Sequence, residues 1–471
     1  MTRLPKRHIL FIFFLFILIL IAVPRAVRSM SGLNLQSSFS NEGTVVSQPE
    51  TNSPQQVSQN ANENDLALDW PQVQRDPQRT GYSPEVLGTT FPYTVAWTHA
   101  FQPEKVFPQV QVIIYDGKVY VGTEMGNLYA LDAKTGEQVW KYSIGAPVLS
   151  SVAAGDGLVF VGAMDGAVYA LGSGTGTLAW KSQLLWRHGF STAPVLAENK
   201  VMLGGRNGAF YALDTATGAA LWQYEGSSPI LQTPAYNNGQ VFFGAMNMHV
   251  YALNTSDGSL AWKSEQIPGM AFKDYWPVVH SGKVIVRPMG KGSVSDLAAC
   301  DASPESCQKT LFVLDEATGV ESPAVQHSDY PNMHGAFSPP CVDRNNKLVV
   351  PFDGMWGELD LTTRMVGNMF VDATGEDGVR NSDELGSISC ANNLVFVIHS
   401  SEDNGPGLFP AYSGAFDLDN WTWINAFDHQ GHITFEMKNN TQGGGGNPVS
   451  ISNGTVYHIS FHQLIARTAQ P

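Results

Sequence analysis

His429 and His432, and again His458 and His462, stand at spacings that suit a metal ion. A structural zinc site needs four nitrogen or sulfur ligands, and neither pair has a Cys or carboxylate to complete the set, so both read as loop and strand histidines and no metal is assigned. Asp372, Glu376, Asp377, Asp383 and Glu384 crowd one stretch that is acidic enough for calcium. They depart from the helical calcium loop, in which Gly takes the sixth place and a bidentate Glu the twelfth. A Gly-x-Ser-x-Gly elbow, a phosphate-binding loop, Cys-x-x-Cys and His-Glu-x-x-His are all missing, and no catalytic residue is assigned.

The elements that would position any site are legible in a repeated phrase. Tyr129-Ala-Leu-Asp132 runs through Gly136 to Trp140, and the pattern returns from Tyr169 to Trp180, Tyr211 to Trp222 and Tyr251 to Trp262. The tryptophans are 40, 42 and 40 residues apart, and Trp97 precedes Trp140 by 43. A period of about 40 to 45 residues carrying four short strands predicts a β-propeller, whose blades bury their faces only against neighbours. Within a repeat, Asp132 or its counterpart Asp214 can accept bonds from turn amides, while Gly136 supplies a positive φ. Trp140, Trp180, Trp222 and Trp262 are then structural wedges between blades. In the second repeat, strands are expected at 146–152, 158–162, 167–171 and 178–181, the alternation of Val159 and Val161 marking half-buried antiparallel strands.

The string Ala130-x-Asp132-x-x-Thr135-Gly136-x-x-x-Trp140 resembles the tryptophan-docking motif of pyrroloquinoline-quinone-like (PQQ-like) propeller repeats. The resemblance covers roughly residues 70 to 466 and includes a lead-in from Trp70-Pro71 to Arg79-Thr80-Gly81. It implies either a quinone-dependent dehydrogenase or a propeller that assists outer-membrane protein assembly. The adjacent cysteines of the quinone alcohol dehydrogenases are missing here, so no cofactor is expected, with PQQ and calcium kept as the alternative. Later repeats decay: Phe312 to Gly319 keeps the turn with Pro323 near the place of the Trp, Gly357 to Arg364 keeps the strand, and Gly414 to Trp423 is the seventh. The last stretch supplies three strands and Tyr93 to Trp97 a fourth, which predicts an all-β, eight-bladed propeller of four-stranded antiparallel blades closed by an N-terminal strand.

In such a ring the d-a and b-c connections converge on one face. There the sequence places Arg187, His188, Lys273, Asp274, Tyr275, Trp276, His334, Asp383 and Glu384, the candidate site for a small polar ligand or a protein segment. Met125, Met164, Met246, Met248, Met289 and Met355 would surround it with soft apolar groups. Cys300 and Cys307 lie seven apart in one insertion and predict a disulfide. Cys341 and Cys390 occupy the same place in consecutive blades, as a disulfide or as two buried thiols.

Three regions follow. Residues 1–29 hold Arg3, Lys6 and Arg7 ahead of an apolar run from Ile9 to Val23, which as a helix would rise about 22 Å. That suits a signal peptide or a membrane anchor, and both place the remainder outside the cytoplasm. Residues 30–68 have a polar composition that favours a disordered linker, and 69–471 form the propeller. The net charge of −15 disfavours nucleic acid, and membrane contact is expected only through the N-terminal helix. The reading is an exported binding or assembly scaffold, with a PQQ-dependent oxidoreductase as the alternative.

Overall fold

The computed structural model describes residues 68–107, 110–185, 188–289, 309–323, 338–352, 355–371, 387–398, 413–424, 447–459 and 462–469. The expected N-terminal helix and nearly all of the linker lie outside them, as do Cys300, Cys307, His429 and His432. Eight antiparallel sheets make an eight-bladed β-propeller, and no helix long and apolar enough to cross a membrane occurs among the described residues.

Blade 1 is Ile113–Tyr115, Lys118–Gly122, Asn127–Asp132 and Gln138–Ser143, here strands a to d from the axis outward. Blades 2, 3 and 4 repeat the order from Ala153–Gly155, Val195–Ala197 and Ala235–Asn237. Blade 5 has three strands among the described residues, Val278–His280, Lys283–Val286 and Phe312–Asp315, and an isolated bridge from Leu314 to Glu321 marks the place of the fourth. Blades 6 and 7 open with Cys341–Val342 and Ser387–Cys390. In blade 8, Thr94–Ala100 lies outside Gln463–Thr468, with Thr94 opposite Thr468 and Ala100 opposite Gln463.

Each docking Trp sits just past a one-residue irregularity: Trp140 opposes Ala130 while Gln138 opposes Leu131, leaving Val139 as the extra residue. The added twist of a bulge tips the indole out of its own sheet. It lands on the c-d turn of the next blade, where Trp140 Nε1 donates to the Ser173 carbonyl at 2.8 Å, Trp180 to Thr215 at 2.9 Å, Trp222 to Thr255 at 2.8 Å and Trp262 to Glu316 at 2.8 Å. Side-chain acceptors brace several of the c-d turns, Asp132 Oδ1 taking the amides of Lys134 and Thr135 and Asp214 Oδ1 that of Thr217, while Gly172 holds this place in blade 2.

One expectation needs correction. Strand a of blade 2 is Ala153–Gly155 rather than 146–152, because the earlier residues bind elsewhere. Val148 N donates to Thr123 O, Met164 N donates to Pro147 O, and the Ser150 hydroxyl donates to Thr192 O, so this segment bridges blades instead of extending a ladder.

The lead-in runs across the inner strands and accepts a hydrogen bond from each blade. Trp70, Pro71, Pro77, Gln78, Thr80 and Gly81 offer carbonyls to the amides of Ile114, Ala154, Tyr236, Val279, Val342 and Cys390, at 2.7 to 2.9 Å. Gln72 Oε1 takes Leu196 N and Glu85 Oε2 takes Gly454 N. Amides of innermost strands that would otherwise face an empty axis are satisfied in this way. Arg79, with no exposed surface, gathers the segment: its guanidinium donates to the carbonyls of Val73, Pro194 and Pro234 at 2.8, 3.1 and 2.9 Å. Cys341 and Cys390, on the innermost strands of blades 6 and 7, form a disulfide with their Cα atoms 5.8 Å apart.

Candidate functional site

The lead-in meets strand a at its middle residue in blades 1, 2, 4 and 5, and the d-a connections ahead of those strands stay clear of these bonds. A cleft of about 240 Å³ lies there. Val73, from the lead-in, is part of its lining. Ser150 and Ser151 come from blade 2, Ser191 from blade 3 and Thr233 from blade 4, with Phe107 from the loop ahead of blade 1.

Its charged wall is built by the connection from blade 4 to blade 5. Lys273 bridges to Leu231 in parallel fashion, Asp274 N donates to Leu231 O, and Thr233 N donates to Tyr275 O, so the segment is clamped beside the entry to blade 4. Asp274 has a φ of 68°, a conformation that Asp tolerates better than most residues, and the turn presents its carboxylate 3.3 Å from Lys273 Nζ. Both side chains remain about two-fifths exposed (41% and 35%), so the pair is open to a competing anion. Arg206, in the b-c turn of blade 3, also lines the cleft and donates from Nη1 to the Ser191 hydroxyl at 3.2 Å. Trp276, 3% exposed, also lines the cleft, and its indole N–H has no acceptor among the described residues.

Of the residues expected to converge, Lys273, Asp274 and Trp276 share this cleft. Tyr275 does not line it: it is buried in the apolar core beside Val278 and Ile285, its ring 6.0 Å from that of Trp276. Trp276 belongs to the same buried cluster and in addition contributes to the lining. His188 is exposed with a φ of 79° and is not part of the lining. Arg187, His334, Asp383 and Glu384 lie outside the described residues. Arg206 and the hydroxyls were not singled out from sequence. The available signal was that Arg206 stands in the turn where sister blades carry Met164 and Met246. The methionine ring is partial: Met125 is exposed, Met164, Met246 and Met289 are half-buried, and Met248 is buried.

Two cations and a group of hydroxyl-bearing residues suit an anion that is partly stripped of water. The described lining fits a quinone with its calcium poorly. A calcium ion takes six to eight oxygen ligands, often from several carboxylates. Asp274 is the one carboxylate among the described lining, it is already tied to Lys273, and no three His, Cys, Asp or Glu gather around a common point among the described residues. No chemical step is therefore derived through such a group.

The family model described as outer membrane protein assembly factor BamB matches residues 94–185 and 165–303. The quinoprotein ethanol dehydrogenase of Pseudomonas aeruginosa is 44% identical over 54 residues, which is 11% of this chain and 9% of that protein. The match thus spans less than a tenth of that relative's length. Among solved structures, the quinohemoprotein alcohol dehydrogenase from Comamonas testosteroni aligns with a TM-score of 0.60 at 13% identity, covering 86% of this chain and 81% of that one. BamB from Moraxella catarrhalis aligns with a TM-score of 0.50 at 14% identity, covering 80% and 99%. At such identities the likeness is one of fold. The family match is confined to residues 94–303, and the chain shares its propeller fold with both groups.

Proposed function

We propose that this propeller is an extracytoplasmic binding scaffold whose axial cleft takes a carboxylate, carried by the end of a protein segment or by a small organic anion. The observation that carries the reading is the meeting of Lys273 and Arg206 with the hydroxyl-bearing Ser150, Ser151, Ser191 and Thr233 around one cleft. Location outside the cytoplasm is supported by the Cys341–Cys390 disulfide, since such bonds persist in oxidising compartments, and by the likeness to an outer membrane protein assembly factor. The apolar run from Ile9 to Val23 would serve as the export signal or the tether.

Calorimetric titration with a short peptide ending in a free carboxylate, its C-terminal amide, and succinate tests this. The free acid or succinate should bind and the amide should not, and Arg206→Ala with Lys273→Ala should abolish the difference. Equal binding of acid and amide overturns the reading. So does tight uptake of PQQ with calcium accompanied by dye reduction, which would establish the oxidoreductase instead.

A further inference from the structure

Blade 6 has lost its wedge, and polar groups stand in its place. Counted from the turn acceptor Asp360, Glu358 on strand c takes the position of Ala130 in blade 1, and Asn368 on strand d takes that of Trp140. Gly357 opposes Met369 and Glu358 opposes Gly367, so Asn368 is the extra residue of the irregularity, with a φ of 25°. Its amide donates to Glu358 Oε2 at 2.8 Å. Lys347, just ahead of strand b, donates to the same oxygen at 3.3 Å, and Asn345 donates to Oε1 at 3.3 Å. Glu358 is 3% exposed. An ionised carboxylate only accepts, so one buried oxygen holds a primary amine and a primary amide side by side.

We propose that Lys347 and Asn368 react with each other to form an isopeptide bond, with Glu358 as the catalytic residue. The Lys347 ammonium gives a proton to Glu358 Oε2, and the freed electron pair of Nζ attacks Asn368 Cγ. The Cγ–Nζ bond forms while the carbonyl pair moves onto Oδ1. Glu358 passes its proton to Nδ2 and takes a second one from Nζ; the pair on Oδ1 returns, the Cγ–Nδ2 bond breaks, and the departing ammonia takes that second proton. One ammonium ion is released, Glu358 is regenerated, and no oxidant or cofactor is consumed. Attack needs the amine at about 3 to 3.5 Å from the amide carbon, and the Lys347 side chain, 37% exposed, has room to make that approach. Asp343 stands beside Glu358, and burial together with that neighbouring carboxylate pushes it up to about 6. Burial alone would raise Glu358 too, but hydrogen bonds from Asp343, Asn345 and Lys347 hold it below its ordinary value, which keeps it ionised as the base. The reaction runs once per chain, so a small neutral fraction of Lys347 is enough to complete it. The bond ties the a-b turn of blade 6 to its outermost strand, beside the disulfide that joins the innermost strands of blades 6 and 7.

Mass spectrometry of the full-length protein, reduced, alkylated and cut with trypsin, tests this. Trypsin does not cut after a joined Lys347, so residues 345–364 and 365–380 should appear as one branched peptide, lighter by one ammonia than the two parts together. Lys347→Arg should give linear peptides only, and Glu358→Gln should slow the joining by about 100-fold or more. Asn368→Asp should form the same bond with loss of water in place of ammonia. Lys347→Arg keeps a cation beside Glu358, so the comparison stands even where Glu358→Gln does not fold. Linear peptides alone from the parent protein overturn the proposal, as does ammonia loss that persists in Lys347→Arg. A branch at Asn345, the other amide on the same carboxylate, overturns the assignment to Asn368.

Discussion

Trp97 lies flat on Gly136. A β-carbon on that glycine would come within 2.4 Å of the indole Cε3, and Trp97 Nε1 donates to the Ala133 carbonyl at 3.0 Å. Blade 8 thereby docks on blade 1 by the contact that joins blades 1 to 5, and the docked series runs unbroken from blade 8 to blade 5. It stops where Arg364, and then Trp421 with a φ of 56°, take the glycine position. The Cys341–Cys390 disulfide spans blades 6 and 7, inside the part of the ring that has lost its wedges.

Gly176→Ala should therefore destabilise sharply. Its φ of 67° already disfavours a side chain, and the new methyl would sit 2.6 Å from Trp140 Cδ2. A loss of about 2 to 4 kcal/mol is expected from strain and overpacking together. Trp140→Ala should lose about 3 to 5 kcal/mol. Arg364→Gly, at the equivalent position without a ring above it, should be neutral or slightly stabilising. Thermal unfolding of the three variants checks the ordering, and equal melting temperatures for Gly176→Ala and Arg364→Gly would dismiss the docking account.

Blades 1 to 4 were legible because the turn, the strand and the wedge recur in phase, and each part has a local physical cause: an Asp acceptor, a positive-φ Gly, a Trp with one seat. The cleft was legible only in part. Lys273, Asp274 and Trp276 stand out as charges and an aromatic where sister loops are bland, yet nothing local distinguishes Trp276, which touches the cleft, from Tyr275, which is confined to the buried cluster they share. That choice depends on the register at which the connection clamps onto Leu231 and Thr233. Arg206 was obscured for another reason: read along the chain it is one more polar turn residue, and only the packing of blades 3 and 4 brings it to the cleft that Lys273 lines.

Breaking the disulfide should weaken the wedge-free sector. Its 49-residue loop removes about 4 kcal/mol worth of chain entropy from the unfolded state on the simplest model. Cys341→Ala with Cys390→Ala should lower stability by up to that amount, and protease cutting of the native variant should begin within blades 6 and 7. Uniform cutting around the ring would contradict the idea that the bond substitutes locally for docking.

Two buried groups set separate acid limits. Burial, with Arg467 nearby, pushes His458 down to about 4 from an ordinary 6.5, so the folded state holds it neutral. The unfolded chain binds that proton first, and stability should fall as pH drops from about 6.5 to 4. Burial alone would raise Glu104, but hydrogen bonds from Lys141, Thr123, Tyr129 and Asn127 hold it at about 2. Its contribution is complete above about 4.5 and should disappear as pH falls toward 2. His458→Phe should flatten only the upper window and Glu104→Gln only the lower, in urea titrations run across pH. A pH profile unchanged by both would remove these assignments.

Arg79 should couple the plugged end of the axis to the cleft. Its guanidinium satisfies the Val73, Pro194 and Pro234 carbonyls, and Val73 itself belongs to the cleft lining. Burial lowers it to about 9, with Asp76 acting against the fall, so it stays charged at neutral pH. Lysine at this place keeps a cation but has no planar fork to reach three carbonyls at once. Each buried acceptor left without a donor costs about 1 to 3 kcal/mol. Arg79→Lys should consequently loosen the lead-in before it loosens the blades. The amides of Ala154, Tyr236, Val279 and Val342, which donate to that segment, should lose hydrogen-exchange protection while those of Val201 and Val241 keep theirs. Carboxylate binding at the cleft should weaken in parallel, because the wall formed by Val73 is no longer fixed. If all amides lose protection together, the lead-in is part of one cooperative unit and the coupling runs through global stability instead.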